Sequence, residues 1–296
     1  MNWHKDILSW QWDRTLYLSV VFTWDLPRAR HMAHCHKGPV RAGGPAVSLL
    51  PAYLADVADV DTPLEMEALP LHNPFATRTS DGCPRTCAFC INRDRPLNLL
   101  GDFRPAPLVC DDNFLATPLA HQERAIERLA SLPFVDCNQG LDARLFTTDT
   151  ACLLARLRHV RLRFAWDIPA QETDVRRAVT IARDAGHSDI RCYVLVGFPA
   201  AYDTPEYALY RCETLREMGV TLPNVQRFQP VRVDAAHGIK QNHLLRKNSY
   251  VAPAWTDHEL RRQTRYWNRQ AWLGGVPFAN YQPPAESPLF SHTEAT

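Results

Sequence analysis

Cys83, Cys87 and Cys90 stand within eight consecutive positions, in the run Ser80-Asp81-Gly82-Cys83-Pro84-Arg85-Thr86-Cys87-Ala88-Phe89-Cys90. Three soft sulfur donors on one short loop point to a metal centre. Structural zinc takes four ligands, and the nearest further candidates, His72 and Cys110, do not form the usual second pair with short internal spacing. A ferredoxin-type electron carrier would also bring a fourth cysteine, in a different spacing. Three thiolates on an iron–sulfur cluster leave one iron open, and an open iron can bind a substrate. The chain holds nine cysteines; the odd count and the crowding favour reduced thiols, some of them on metal, over a disulfide set.

The elements that must position this loop read as α/β. From Pro74 onward, apolar strand candidates recur at 74–81, 106–112, 133–138, 160–166, 190–197 and 224–231, with helices between most of them. Helix 171–185 places Val175, Ala178, Val179 and Ala182 on one face, and Gly186 suits its stop. Helix 205–218 has Thr204 as a cap, Pro205 at its first position and Gly219 after its last turn. Strand–helix alternation implies parallel pairing. At roughly 31 residues per unit, residues 74–231 hold about five or six units of a barrel that needs eight. The cysteine loop follows the first of these strands, at the barrel face that carries chemistry.

Ahead of this stretch, strand 16–23, helix 27–36, strand 39–42 and helix 46–57 make a small βαβα layer. Behind it, residues 232–296 mix a helix at 256–272 with Pro-rich irregular chain, the last dozen residues being expected to be mobile. The predicted architecture is thus a partial (β/α)6 TIM-like barrel (74–231) between an N-terminal βαβα layer (1–73) and a C-terminal helical and irregular extension (232–296). At 46% hydrophobic residues the chain can bury a core. The net charge of +1 gives no bulk electrostatic case for nucleic acid or an anionic membrane. The opening residues, MNWHKDILSWQWDRTLYL, lack the pattern of a signal peptide, and no apolar run approaches the ~20 residues of a membrane span. A cytoplasmic protein is expected.

The spacing Cys83-x3-Cys87-x2-Cys90, with aromatic Phe89 before the last cysteine, resembles the signature of the radical S-adenosylmethionine (SAM) superfamily. The resemblance covers about half the chain. It implies a [4Fe-4S] cluster on the three cysteines, SAM bound through its amino and carboxylate groups at the open iron, and a 5′-deoxyadenosyl radical that abstracts hydrogen from a substrate. It also implies an external electron donor such as flavodoxin or ferredoxin. Phe89 would lie beside the adenine; its plain alternative is a buried aromatic.

Cys110-Asp111-Asp112-Asn113-Phe114 departs from the family's Gly-Gly-Glu segment and is similar to the Asp-Asp-Asn-Phe variant of the branch that often carries a cobalamin-binding domain. By that resemblance Asp112 or Asn113 takes the SAM amino group; as plain residues they are turn polars. Asn138-Gln139-Gly140-Leu141-Asp142-Ala143-Arg144 resembles the same branch, and Gln139 and Arg144 would fix cofactor carboxylate or substrate. Asp167 would accept ribose hydroxyls. Arg176 resembles an arginine facing the cofactor carboxylate, although Arg176 and Arg177 are adjacent on a helix and at most one faces the site. The strand Tyr193–Pro199, through Gly197, would pack its backbone on adenine. Cys110 and Cys137, at the ends of neighbouring strands, would face one another near the cluster, or serve as small hydrophobes.

Residues 16–60, with Gly43-Gly44-Pro45, resemble a truncated cobalamin domain, yet no Asp-x-His-x-x-Gly segment is present to hold a histidine lower ligand. No cysteine follows Cys212, so a single cluster is expected. The tract His31–His36 reads as a polar helix end rather than a metal site. Two further readings stay open: a non-catalytic protein whose cluster or zinc staples the loop, and a nucleic-acid-modifying or cobalamin-dependent methyltransferase. The nucleic-acid reading rests on Arg261, Arg262, Arg265 and Arg269 interleaved with Tyr266, Trp267 and Trp272; the alternative is an amphipathic helix over the barrel.

Overall fold

A computed structural model describes residues 3–4, 6–64, 67–93 and 95–283. The last dozen residues, expected to be mobile, lie outside the described residues. The N-terminal layer is a three-stranded sheet in the order β1 (Leu8–Trp12), β2 (Thr15–Ser19), β3 (Val40–Gly43), with helix α1 (Leu26–Cys35) between β2 and β3. β2 and β3 run parallel, as the βα alternation predicts, but β1 is an antiparallel hairpin partner of β2 that the sequence reading did not separate. The helix expected at 46–57 stops as α2 (Pro45–Leu49). Pro51 explains the stop: it lacks a backbone N–H and pushes Leu50 out of helical conformation, to φ −132° and ψ 59°. Ile7, Leu18, Val20, Leu26 and Leu54 form this layer's own core.

Short helix α3 (Ala68–His72) leads into the main sheet. The strand expected at 74–81 is two pieces. β4 (Ala76–Thr77) joins the main sheet, while β5 (Ser80–Asp81) pairs antiparallel with β6 (Asn98–Leu99). The break has a cause: Thr79 turns its backbone N–H to the Asp111 carboxylate at 2.6 Å, and Ser80 donates its hydroxyl to the same group at 2.7 Å. The chain then alternates through β7 (Leu108–Val109), α4 (Leu119–Leu129), β8 (Val135–Cys137), α5 (Thr148–Leu154), β9 (Val160–Ala165), α6 (Glu172–Asp184), β10 (Asp189–Val196), α7 (Pro205–Glu217) and β11 (Leu222–Arg227). Six strands form one all-parallel sheet in the order β11-β10-β9-β8-β7-β4. Consecutive strands are neighbours, the winding that keeps helices on one face.

Side-chain alternation divides the two faces of this sheet. Leu162, Phe164 and Trp166 around β9, with Ile190, Cys192 and Val194 of β10, are buried in the core they share with Val175, Ala178 and Val179 of α6. Each such aliphatic side chain contributes about 1.5–3 kcal/mol on full burial. The other face is polar: Asp136 receives Arg163 at 2.6 Å and Arg161 at 3.0 Å, and Arg161 also reaches Asp189 at 2.8 Å. Cys110 and Cys137 fall on opposite faces. Cys110 packs with Ala76 and Leu108, whereas Cys137 packs with Val109 in the helix-side core, so the two do not face one another and each serves as a small hydrophobe. Burial, with Asp111 and Asp136 adding to it, pushes each thiol up to about 12.

Helices α6 and α7 carry the predicted punctuation: the Thr204 hydroxyl accepts from the Tyr207 N–H, and Gly186 and Gly219 follow the helices with φ of +86° and +76°. Beyond β11, α8 (Gln241–Leu245) and α9 (Asp257–Asn268) follow. α9 starts at a capping box between Thr256 and Glu259 and ends before 272, where Gln270 takes φ +54°. The Asn268 side-chain amide pairs with both the N–H and the C=O of Val225, at 2.7 and 2.8 Å, closing the edge of β11 as another strand would. Tyr266 and Trp267 are buried beneath α9, and Arg262 binds the carbonyls of Tyr281 and Ala279. Tyr266 and Trp267 are core and Trp272 is partly buried against it, as in the reading of this stretch as an amphipathic helix over the barrel. Among the described residues no helix is long and apolar enough to cross a membrane.

Candidate functional site

The cysteine loop connects β5 to β6 with no helix among its described residues, and its two ends are tied. Gly82 takes φ +81°, and a Cβ there would lie 1.9 Å from the Pro96 carbonyl oxygen, so only glycine fits. The Cys83 N–H donates to Arg95 O at 3.1 Å, and the Cys90 N–H to Cys87 O at 3.1 Å. Cys83, Cys87 and Cys90 are free, partly buried thiols. Burial raises Cys87 above its ordinary value, with Asp167 and Cys83 adding to the rise and Arg144 opposing it. Burial likewise raises Cys90, and Cys87 and Cys83 add to it while the Asn92 N–H pulls back.

Among the described residues no three His, Cys, Asp or Glu side chains are gathered closely enough for a single metal ion. A tetrahedral ion with bonds of ~2.3 Å would hold its sulfurs about 3.8 Å apart. A cubane spreads its thiolates over three iron atoms, so a soft triad wider than a zinc site is compatible with it.

Two carboxylates hold the loop from below. Asp112, after β7, accepts the Gly82 N–H at 2.9 Å and Asn92 Nδ2 at 2.7 Å, with Arg95 at 3.9 Å. It therefore clamps the residues on either side of the three cysteines. Asp142, after β8, accepts Arg85 Nε at 2.9 Å, Arg144 Nε at 2.6 Å and Asn113 Nδ2 at 3.3 Å. Burial pushes Asp142 up, but Arg144 and Arg85 together carry it below the usual carboxylate range. Asn113 Nδ2 also reaches Cys83 Sγ at 3.4 Å, while its buried Oδ1 has no hydrogen-bond partner. A buried acceptor left open costs about 1–3 kcal/mol, so something is expected to donate to it.

Beside the loop lies an open, mostly apolar cleft of about 450 Å³ between Cys87 and Phe89, the turn Ile168–Gln171, and Phe198 and Tyr202. Phe89 meets Phe198 edge to face at 5.8 Å. Asp167 immediately precedes this turn and accepts the Leu195 N–H at 3.1 Å. Burial, opposed by Arg211 and aided by Asp203, pushes its carboxyl up to about 6. Arg211 is fully buried; it donates to the carbonyls of Trp166, Asp167 and Leu195 and pairs with Asp203 at 3.0 Å, tying β9, β10 and α7 under the cleft. Gly197 takes φ +81°, and a Cβ there would stand 2.9 Å from Leu260 of α9.

The sites singled out in the sequence are thus partly assembled. Phe89, Asp112, Asn113 and Arg144 surround the cysteine loop, and Asp167 and Gly197 border the cleft. Gln139 is exposed at the end of β8. Arg176 is not brought in: it bonds Glu172 at 2.8 Å and Tyr210 at 3.3 Å on the outer surface of α6 and α7. Arg177 instead donates to the carbonyls of Ala143 and Arg144. Sequence reasoning missed Asn92 and Arg211, and gave no role to Arg85 or Asp142, although both stood in quoted motifs.

No family model and no curated protein sequence matches the chain. Solved structures do. A radical SAM methyltransferase, TsrM from Kitasatospora setae, with cobalamin and a [4Fe-4S] cluster bound, superposes with a TM-score of 0.53 at 13% identity, covering 73% of this chain and 64% of that one. This chain is similar in fold to that methyltransferase. TsrM with tryptophan substrate and the SAM analogue aza-SAM bound gives a TM-score of 0.52 at 13% identity, covering 75% and 63%. The chain spans a little under two thirds of the length of these radical SAM structures.

Proposed function

We propose that this protein is a radical SAM enzyme in which Cys83, Cys87 and Cys90 bind one [4Fe-4S] cluster and SAM occupies the adjoining cleft. The observation that carries the reading is the three-cysteine loop at the strand ends of a fold similar to that of a radical SAM methyltransferase, tied through Gly82, Asn92 and Arg85 to Asp112 and Asp142. Bound there, cluster and SAM would supply a 5′-deoxyadenosyl radical by one-electron cleavage of the S–C5′ bond. Asn113 presents its open Oδ1 to the SAM amino group, whereas Asp112 is already committed to the loop. Phe89 and the backbone at Gly197 and Phe198 enclose the adenine, Asp167 accepts ribose hydroxyls, and Gln139 faces cofactor carboxylate or substrate. Arg144 is engaged by Asp142, and Arg176 has no part in this site.

In this proposal the six-stranded sheet is an open partial barrel spanning 74–231, with 1–73 and 232–296 as flanking units. The substrate is one from which hydrogen is abstracted; the electron comes from an external donor of the flavodoxin or ferredoxin kind, in the cytoplasm. Cobalamin does not fit the N-terminal layer. The carboxyl ends of β2 and β3, where such layers take ligands, are filled: a Cβ on Gly44 would lie 2.6 Å from Val20 O, Ser19 Oγ bonds His72 Nε2 at 2.9 Å, and Thr23 donates to the Leu244 carbonyl of α8. Anaerobic reconstitution is expected to give about four irons per chain and dithionite-dependent formation of 5′-deoxyadenosine from SAM. A chain that takes up only zinc, or a loaded chain that leaves SAM intact, refutes the proposal.

A further inference from the structure

The three cysteines differ in what surrounds them, and Asp142 organises the difference. Its side chain is 6% exposed. Two of the donors it collects belong to residues that also touch a ligand sulfur, Asn113 Nδ2 meeting Cys83 Sγ at 3.4 Å and the Arg85 backbone N–H meeting the same sulfur at 3.4 Å, and the third, the Arg144 guanidinium, acts on Cys87 as a nearby positive charge that opposes the rise of its thiol. Arg144 is gripped twice, through Nε at 2.6 Å and Nη2 at 3.0 Å, the two-pronged geometry that fixes a guanidinium in place. Cys90, by contrast, receives the Asn92 backbone N–H at 3.4 Å, and the Asn92 side chain belongs to Asp112.

We propose that Asp142 and Arg144 are a positioning pair that sets the reduction potential of the cluster on this loop, Arg144 raising it and Asp142 lowering it. The inference rests on the radical SAM reading above. Its physics is electrostatic. One electron from a reductant such as dithionite takes the cluster from [4Fe-4S]2+ to [4Fe-4S]+, with no bond made or broken, so a nearby cation favours the reduced form and a nearby anion opposes it. Hydrogen bonds to the sulfurs act in the same sense as the cation. The low exposure of Asp142 keeps solvent from screening these effects fully.

The test compares reconstituted parent, Arg144→Gln, Arg144→Lys and Asp142→Asn by iron content and by spin-resonance-monitored redox titration with dithionite, in the absence of SAM. The expected result is full iron content throughout, a lower potential in Arg144→Gln, a higher one in Asp142→Asn, and a potential near the parent's in Arg144→Lys. Opposite signs from two residues that touch each other are not produced by a merely structural role. Shifts of one sign, no shift, or loss of iron in both Arg144→Gln and Asp142→Asn overturns the inference while leaving the function intact. A parent chain that assembles no four-iron cluster refutes the function itself.

Discussion

Replacing Asp167 by Asn isolates the cost of keeping a charge beneath the cleft. Asn preserves the shape and an acceptor for the Leu195 N–H, so the two proteins differ chiefly in whether the group ionises. Burial raises this carboxyl from 3.8 to about 6 in the folded chain. Between those values the unfolded chain has released its proton and the folded chain has not, so stability falls as pH rises through the window. At about 1.4 kcal/mol per pH unit the full difference is roughly 3 kcal/mol, and solvent reaching the partly exposed residue reduces it. Asp167→Asn is therefore expected to be more stable than the parent at pH 7.5, by up to that amount, and nearly equal to it at pH 4. Urea unfolding of the reduced, cluster-free proteins across this range, at fixed ionic strength, reads the difference directly. A stability difference that does not change with pH refutes the reasoning, as does a variant that is weaker only at neutral pH. The same variant is expected to bind SAM less tightly, a trade of stability for function at the site.

Gly82→Ala is expected to abolish iron incorporation while the far-ultraviolet circular dichroism of the sheet persists, because its Cβ meets the Pro96 carbonyl at 1.9 Å; normal iron content would show that the loop is not held as described. Arg211→Leu removes every charged partner of a buried Asp203 and is expected to destabilise the chain by about 3–5 kcal/mol, and an unchanged midpoint in denaturant would contradict that. Asn113→Leu keeps the volume but removes the open acceptor and the contact with Cys83; weaker SAM binding at normal iron content is expected, and unchanged affinity, measured by calorimetry, would remove Asn113 from the cofactor site.

What could be read from the sequence was local. The cysteine spacing, the α6 stripe of Val175, Ala178, Val179 and Ala182, and the Thr204–Pro205 start of α7 are all set by residues within a few positions of one another, and the structure carries the stripe and the helix start. What escaped was decided at long range. The break between β4 and β5 comes from Asp111, about thirty residues away, and the fate of Cys110 and Cys137 from which face of the sheet each strand end presents. The assignment of Arg176 failed for a related reason: helical spacing shows that Arg176 and Arg177 point apart, but only the packed neighbours Glu172 and Tyr210 show where each goes. β1 escaped because its Leu8–Trp12 pattern is half exposed and its partner is a short hairpin away.

The arrangement of the site follows from parallel pairing. Because β4, β7, β8, β9 and β10 all run the same way, the segments that leave them emerge along one edge of the sheet: the cysteine loop, Asp112 with Asn113, Asp142 with Arg144, Asp167, and Gly197. That convergence would stack carboxylates against thiolates, an edge of like charge that disfavours ionised sulfur ligands. The chain offsets it one acid at a time, with Arg95 facing Asp112, Arg85 and Arg144 on Asp142, and Arg211 near Asp167. The arginines that look like surface charges in a chain of net charge +1 thus offset the carboxylates at this edge, and the cysteine loop is held by these side chains together with the short β5–β6 ladder at its base.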